Sequence, residues 1–261
     1  MMPDPMTPSV LILRTAGTNC DRELAHAFAI AGGRPTTLHL HRLIEQPDRV
    51  GGFDIIAIPG GFSYGDDIAA GRIFAHRLRR RLLDPLRDAV ARGVPVIGIC
   101  NGFQVLVKLG LLPDPAAARQ RLTLADNVSG RFVDRWVRLD AAADSPCIWT
   151  RGLGRFELPV AHAEGRLAGE PGVIDELAGR GQLPLRYTAE DDPNGSTGHV
   201  AGVCDPSGVV LGLMPHPERY VEPTQHPAWT RRAADEVAPG LRFFENAIAH
   251  VRERAGSAAR A

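Results

Sequence analysis

Cys100 sits in the run 95–104, PVIGICNGFQ, where an apolar stretch leads into Gly98-Ile99-Cys100-Asn101-Gly102 and then into a helix-compatible segment. That spacing is a nucleophile elbow, G-x-S-x-G, with sulfur in the place of the serine oxygen. Such a turn sets its nucleophile on a sharp strand-to-helix bend, and glycines flank it because a Cβ would clash there. A thiolate at this point lies at the start of a helix, where the positive dipole end and unpaired N–H groups favour negative charge. The residue types point to acyl transfer through a cysteine.

A cysteine nucleophile needs a base and a group that orients the base. Of nine histidines, two stand in His-x-Glu pairs, His162-Ala163-Glu164 and His216-Pro217-Glu218. In extended chain, residues two apart project to one face, so either glutamate is within reach of its histidine and can hold the tautomer and stabilise the imidazolium. The second pair has the better position. It follows the apolar run VVLGLM and so lies at a strand end, as Cys100 does, and Pro217 stiffens the spacing by fixing φ. A third element, PGGFSYGDD at 59–67, follows the apolar run IIAI. Its double glycine can turn backbone N–H groups toward a developing oxyanion, the second donor being the N–H of Asn101. The glycine pattern is neither a P-loop nor G-x-G-x-x-G, so no nucleotide site is expected.

The elements that must position these groups read as alternating strands and helices in the first half, which predicts a mostly parallel sheet with helices on both faces. Strands are expected at 10–13, 36–40, 55–58 and 94–99. The stretch 21–33, DRELAHAFAIAGG, has helical spacing and a Gly32-Gly33 stop, with Thr18 or Asn19 as its cap. A second helix at 84–92 has Asp84 as cap and Gly93 beyond its end, and a third at 102–109 stops at Gly110. Cys100 then falls at the carboxyl end of a parallel strand, where such folds place their sites. After Pro113 the runs at 131–139, 146–150 and 156–162 read as antiparallel strands, and 200–214 as a hairpin around Asp205-Pro206-Ser207-Gly208. Helix is expected to return only near 241–254. The segment 189–199, AEDDPNGSTGH, reads as a connecting surface turn. Arg77, Arg79, Arg80 and Arg81 read as a solvated helix face in preference to a docking patch or phosphate contact.

Composition bounds the rest. Thirty basic and thirty acidic side chains cancel, so no bulk field draws the chain to nucleic acid or to an anionic membrane. With 44% hydrophobic residues the 261-residue chain can bury one sizeable core, and a single domain over 1–261 is expected, frayed at 1–8 and 255–261. The apolar runs are too short to span a bilayer and the N-terminus lacks a signal-peptide pattern, which predicts a cytoplasmic protein. Cys20, Cys100, Cys147 and Cys204 lack the spacing of a disulfide or zinc framework, so free thiols and no metal are expected.

Taken together, PGGFSYGD at 59–66, GICNGFQ at 98–104 and MPHPER at 214–219 resemble the motifs of class I (triad) glutamine amidotransferases. RTAGTNCDRE at 14–23, SGRFVDRWV at 129–137, AHAEGR at 161–166 and DPNGSTGHVAGV at 192–203 narrow the resemblance to the glutaminase subunits of phosphoribosylformylglycinamidine synthase. It covers nearly the whole chain. The resemblance implies a flavodoxin-like α/β fold with an antiparallel β extension in the second half. It implies Cys100 as nucleophile, His216 as base and Glu218 as its orienter, with Gly61 and Asn101 at the oxyanion. Gln104, Phe62, His162 and Glu164 would line the glutamine substrate. It implies no cofactor in this chain, a synthetase subunit that consumes the ammonia with ATP, and room for a small accessory subunit. Two positions depart from the pattern: Ala163 stands where glycine is usual, and Asp67-Ile68 replaces an aromatic residue and leucine. The triad motifs alone also fit a stand-alone cysteine hydrolase or peptidase on a related fold. A regulatory module that kept the fold is a non-enzymatic alternative, against which the intact triad weighs.

Overall fold

The computed structural model describes residues 7–232 and 237–258. In chain order its elements are β1 (Ser9–Arg14), α1 (Asp21–Ile30), β2 (Arg34–His39), α2 (Leu40–Glu45), β3 (Ile55–Ile58), α3 (Arg72–Arg79), α4 (Leu83–Ala91), β4 (Val96–Ile99) and α5 (Asn101–Leu109). There follow β5 (Leu122–Ala125), β6 (Val133–Ala141), β7 (Arg155–His162), β8 (Arg166–Gly169), α6 (Val173–Gly179), β9 (Leu185–Tyr187), β10 (Val200–Cys204), β11 (Val210–Leu213) and α7 (Pro239–Ala258). One nine-stranded sheet has the order β2-β1-β3-β4-β11-β10-β9-β6-β7. The strands from β2 to β11 pair in parallel, and those from β10 to β7 continue the same sheet antiparallel.

The central parallel strands β3, β4 and β11 are buried at every residue, as runs such as IIAI and VIGI require when helices cover both faces. Proline appears where the ladder tolerates it, at Pro35 in the edge strand β2 and Pro159 in the edge strand β7. Register matters most at the centre. Ile58 pairs with Gly98, and Leu213 with Ile99, so the chain leaves β3, β4 and β11 side by side at their carboxyl ends. Those are the exits carrying Gly60-Gly61, Cys100 and His216.

Several expectations need correction. Neither Thr18 nor Asn19 caps α1: the N-cap is Cys20, whose side chain makes no capping hydrogen bond, while Thr18 Oγ1 accepts from Thr15 N. The cap of α4 is Leu82, and Asp84 falls inside its first turn. The run 146–150 is not a strand; Ile148–Thr150 forms a 3-10 turn in which Trp149 Nε1 donates to Val209 O. Helix returns before 241, in α6, whose short apolar face (Val173 and Leu177) was too brief to register as a period. The arginines near 77–81 are not all solvated. Arg77 donates to the Tyr64 hydroxyl at 2.7 Å, and Arg79 caps the carbonyls of Lys108 and Leu109 at the end of α5. The 189–199 loop is more than connection: Asn194 is fully buried and donates to Gly165 O, and Ser196 Oγ accepts from Leu167 N. Pro8 is buried and α7 runs through Ala258, with Arg254 reaching the carbonyls of Arg92 and Gly93. Residues 1–6 and 259–261 lie outside the described residues.

Candidate active site

Cys100 has φ 51° and ψ −107°, a conformation that non-glycine residues rarely adopt. The turn is enforced from both sides. A Cβ on Gly102 would lie 2.0 Å from Ile58 O, and one on Gly98 would lie 2.6 Å from Gly102 O, so both elbow glycines are required by close backbone approach. The Cys100 N–H donates to Leu213 O at 2.8 Å, which ties the nucleophile to the strand that delivers the base. Asn101 opens α5, so its N–H has no acceptor within the helix.

His216 follows β11, and its own N–H is anchored on Pro159 O at 2.9 Å. Its Nδ1 meets Glu218 Oε1 at 2.7 Å, with both side chains almost wholly buried. The pairing does not arise from strand alternation, because Glu218 lies in a 3-10 turn, Pro217–Arg219, that folds it back onto the ring. Burial works against charge on this imidazole, but Glu218, Cys100 and Cys20 together hold His216 well above the ordinary histidine range. A Cβ on Gly60 would sit 2.9 Å from His216 Cε1 and 3.4 Å from Cys100 Cβ, so this glycine lets base and nucleophile close on one another. In the resting site the Cys100 thiol lies 3.7 Å from Ala161 O, and His216 Nε2 makes no hydrogen bond of strict geometry. Proton transfer needs the thiol to swing from that carbonyl to Nε2, a looseness common in sites without substrate.

The second His-x-Glu pair is arranged differently. Glu164 makes no hydrogen bond to His162; its carboxylate accepts from Ala70 N at 3.2 and 3.3 Å. His162 Nδ1 instead faces Asn127 Oδ1 at 3.0 Å, and a Cβ on Gly165 would collide with the ring at 2.3 Å. Burial drives His162 down to about 4, with the nearby His216 adding to the effect, so it is neutral at pH 7. Asn127, which also donates to His162 O and accepts from Gly165 N, went unnoticed in the sequence because a lone asparagine in a loop carries no local signal. Asp66 was missed likewise: it accepts from Asn101 Nδ2 and from Gly71 N, joining the glycine-rich loop to the elbow.

Gly61, Phe62, Gln104, His162 and Glu164, all expected near substrate, line one cavity with Cys100, Asp66 and Ala161. Gln104 is already engaged, accepting from Asn101 Nδ2 at 3.0 Å and donating to Glu164 O at 2.5 Å. Phe62 is half exposed and packs on the exposed Phe132 with ring centroids 6.2 Å apart. Ala163 is exposed, so its methyl meets no obstacle. The cavity measures about 40 Å³, room for a few waters but not for a free amino acid. Cys20, His216 and Glu218 each present a donor atom within 4.8 Å of the others. Glu218 is spent on His216, and the Arg219 guanidinium lies 3.2 Å from the Cys20 sulfur, so hydrogen bonding fits this trio better than a cation does.

A buried cysteine–histidine–glutamate line on two neighbouring strand ends can perform nucleophilic acyl transfer. Residues 7–251 match the family model of the CobB/CobQ-like glutamine amidotransferase domain. The chain belongs to this family. Among its relatives, the amidotransferase is 44% identical over 252 residues to phosphoribosylformylglycinamidine synthase subunit PurQ of Dehalococcoides mccartyi, covering 93% of this chain and 97% of that protein. It is 40% identical to the subunit of the same name from Treponema denticola, covering 83% and 89%. Among solved structures, PurLQS from Thermotoga maritima superposes with a TM-score of 0.73 at 31% identity, covering 94% of the amidotransferase and 99% of the matched chain. No helix among the described residues is long and apolar enough to cross a membrane.

Proposed function

We propose that this chain is the glutaminase subunit of phosphoribosylformylglycinamidine synthase. It hydrolyses L-glutamine to glutamate and ammonia in the cytoplasm and passes the ammonia to a synthetase subunit. The carrying observation is the elbow cysteine with the buried His216–Glu218 pair on the adjacent strand end. The extent of the likeness to PurQ subunits, and to a chain of a PurLQS assembly, supports the purine-synthesis substrate and partner over a stand-alone peptidase.

In this reading the Cys100 proton passes to His216, and the thiolate attacks the side-chain amide carbon of glutamine. The developing oxyanion is met by the N–H groups of Asn101 and Gly61. One such donor contributes roughly 2.7 to 4 kcal/mol to barrier lowering. The imidazolium, held by Glu218, gives its proton to the departing nitrogen, so ammonia leaves and a γ-glutamyl thioester remains. Water, deprotonated by His216, then attacks the thioester and releases glutamate with the thiol restored. Free ammonia in water near pH 7 becomes ammonium, which is not a nucleophile, so the synthetase must receive it in a sheltered passage. The exposed Phe62–Phe132 pair at the cavity rim is where we place that partner. The deciding assay compares glutamine-dependent and ammonia-dependent synthesis by the reconstituted complex. Glutamine-dependent turnover that needs this chain supports the reading, and hydrolysis of peptides without glutamine turnover overturns it.

A further inference from the structure

Cys20 is packed against the reacting pair, yet the reaction as derived leaves it idle. It is 1% exposed and occupies the N-cap of α1. Its thiol donates to Asn19 Oδ1 at 3.2 Å, and Arg219 Nη2 donates to the sulfur at 3.2 Å. Arg219 is held in turn by Glu23 at 3.1 Å. These contacts aim the Cys20 proton away from the triad and leave a sulfur lone pair for other donors. His216 is the neighbour on the inner side. Cys20 Sγ, a His216 ring nitrogen and a Glu218 oxygen lie within 4.8 Å of one another. A Cβ on Gly60 would touch Cys20 Sγ at 3.2 Å and His216 Cε1 at 2.9 Å, so the same glycine that admits Cys100 admits a second sulfur.

We infer that Cys20 is a positioning residue for His216: its sulfur accepts from the imidazolium formed when Cys100 gives up its proton, and Asn19 and Arg219 fix the sulfur for that task. This rests on the Cys100–His216 reading above. A charge created on a buried ring needs acceptors on more than one side, and Glu218 covers only Nδ1. The other charged or titratable groups facing the ring and the sulfur are few. Arg219 is balanced by Glu23, Asp21 on α1 is paired with Arg14 at 3.4 Å, and His162 on β7 is neutral. Burial pushes the Cys20 thiol up, opposed by its contact with His216, which suits a protonated sulfur that accepts and not a second nucleophile.

Removing the acceptor disfavours the thiolate–imidazolium pair relative to the neutral pair. That pair exists between an acid limit, where the thiolate is protonated, and an alkaline limit, where the imidazolium loses its proton; the imidazolium is present on both sides of the acid limit, so that limit should not rise, while the alkaline limit should move to lower pH. The test uses the full chain and reads the pH dependence of iodoacetamide alkylation at Cys100 by peptide mass spectrometry, beside glutamine hydrolysis with the synthetase present. Cys20→Ala and Cys20→Val both remove the acceptor, and Val restores the volume. Each should lower the alkaline limit of glutamine hydrolysis and slow Cys100 alkylation at neutral pH by about five- to tenfold, as loss of one net hydrogen bond predicts, with Cys20→Ser in between. An unchanged alkaline limit with unchanged alkylation at neutral pH in either variant, or rescue by Val, would assign Cys20 to packing alone and overturn the inference. If neither variant folds, Cys20→Ser carries the test, its alkaline limit moving to lower pH or the inference failing. The alkylation readout needs no glutamine, so failure of the glutaminase reading would show separately as absent glutamate release by the wild-type complex.

Discussion

At the scale of single residues, the geometry separates two histidines that the sequence presents in similar company. His216 carries its glutamate at 2.7 Å beside Cys100, whereas His162 is committed to Asn127 and pressed under Gly165. His216→Ala should therefore remove nearly all thioester formation, while His162→Ala leaves acylation measurable and disturbs substrate fit. Rapid-quench detection of the acyl-enzyme distinguishes them, and equal losses would refute the assignment. Cys100→Ala should abolish glutamine-dependent synthesis and spare ammonia-dependent synthesis by the partner, provided the variant still binds it. His162 also makes a pH prediction. Its folded pKa of about 4 lies below the ordinary 6.5, so between these values the unfolded chain binds a proton that the folded chain refuses. Stability from this group is full above pH 6.5 and is lost as pH falls toward 4, by roughly 3 kcal/mol. Urea unfolding of wild type and His162→Gln at pH 7 and pH 4 should show a smaller acid loss in the variant.

At the scale of elements, the elbow works because α5 lies directly on β3 and β4, with no space for a side chain at either glycine. Gly102→Ala would force its Cβ into the Ile58 carbonyl. The helix must then back away from the sheet, which should cost about 1–3 kcal/mol of stability and most of the activity, since the Asn101 N–H moves with it. Gly154→Ala is the control: nothing lies within 4 Å of the added carbon, and both quantities should hold. Denaturant midpoints and glutamate release, measured together, check the pair. Comparable effects at the two positions would show that close packing is not what the elbow glycines serve.

At the scale of the whole molecule, the cavity beside Cys100 is small. It measures about 40 Å³, and its lining includes Asp66, which with its chain neighbour Tyr64 is held at positive φ, a sparsely populated backbone state for a non-glycine residue. Seating a glutamine side chain beside Cys100 calls for this lining to give way, and docking of the synthetase on the adjoining Phe62–Phe132 face is suited to bias such a movement. The isolated chain should accordingly be a poor glutaminase. The partner, above all with its nucleotide substrates bound, should raise the rate at least tenfold, about 1.4 kcal/mol in barrier. Glutamate release by the chain alone, with partner, and with partner plus nucleotides is the measurement, and three equal rates would sink the prediction.

The elbow turn, the β-α alternation of the first half and the placement of His216 just beyond a strand end were legible in the sequence, because each depends on neighbours within a few residues. Glycine spacing dictates a turn, apolar runs dictate buried strands, and Gly110 in the left-handed region ends α5 where it was expected to. What lay beyond reach were relations across long stretches of chain. Glu164 belongs to Ala70, 94 residues away, and His162 to Asn127, 35 away, although a glutamate stands two residues along the chain. Arg219 reaches Cys20 across 199 residues, and nothing local to either announces it. The antiparallel half of the sheet curls back until Pro159 O and Ala161 O meet His216 and Cys100. Only the packed sheet decides such contacts, because they depend on strand order and twist, which local side-chain patterns do not encode.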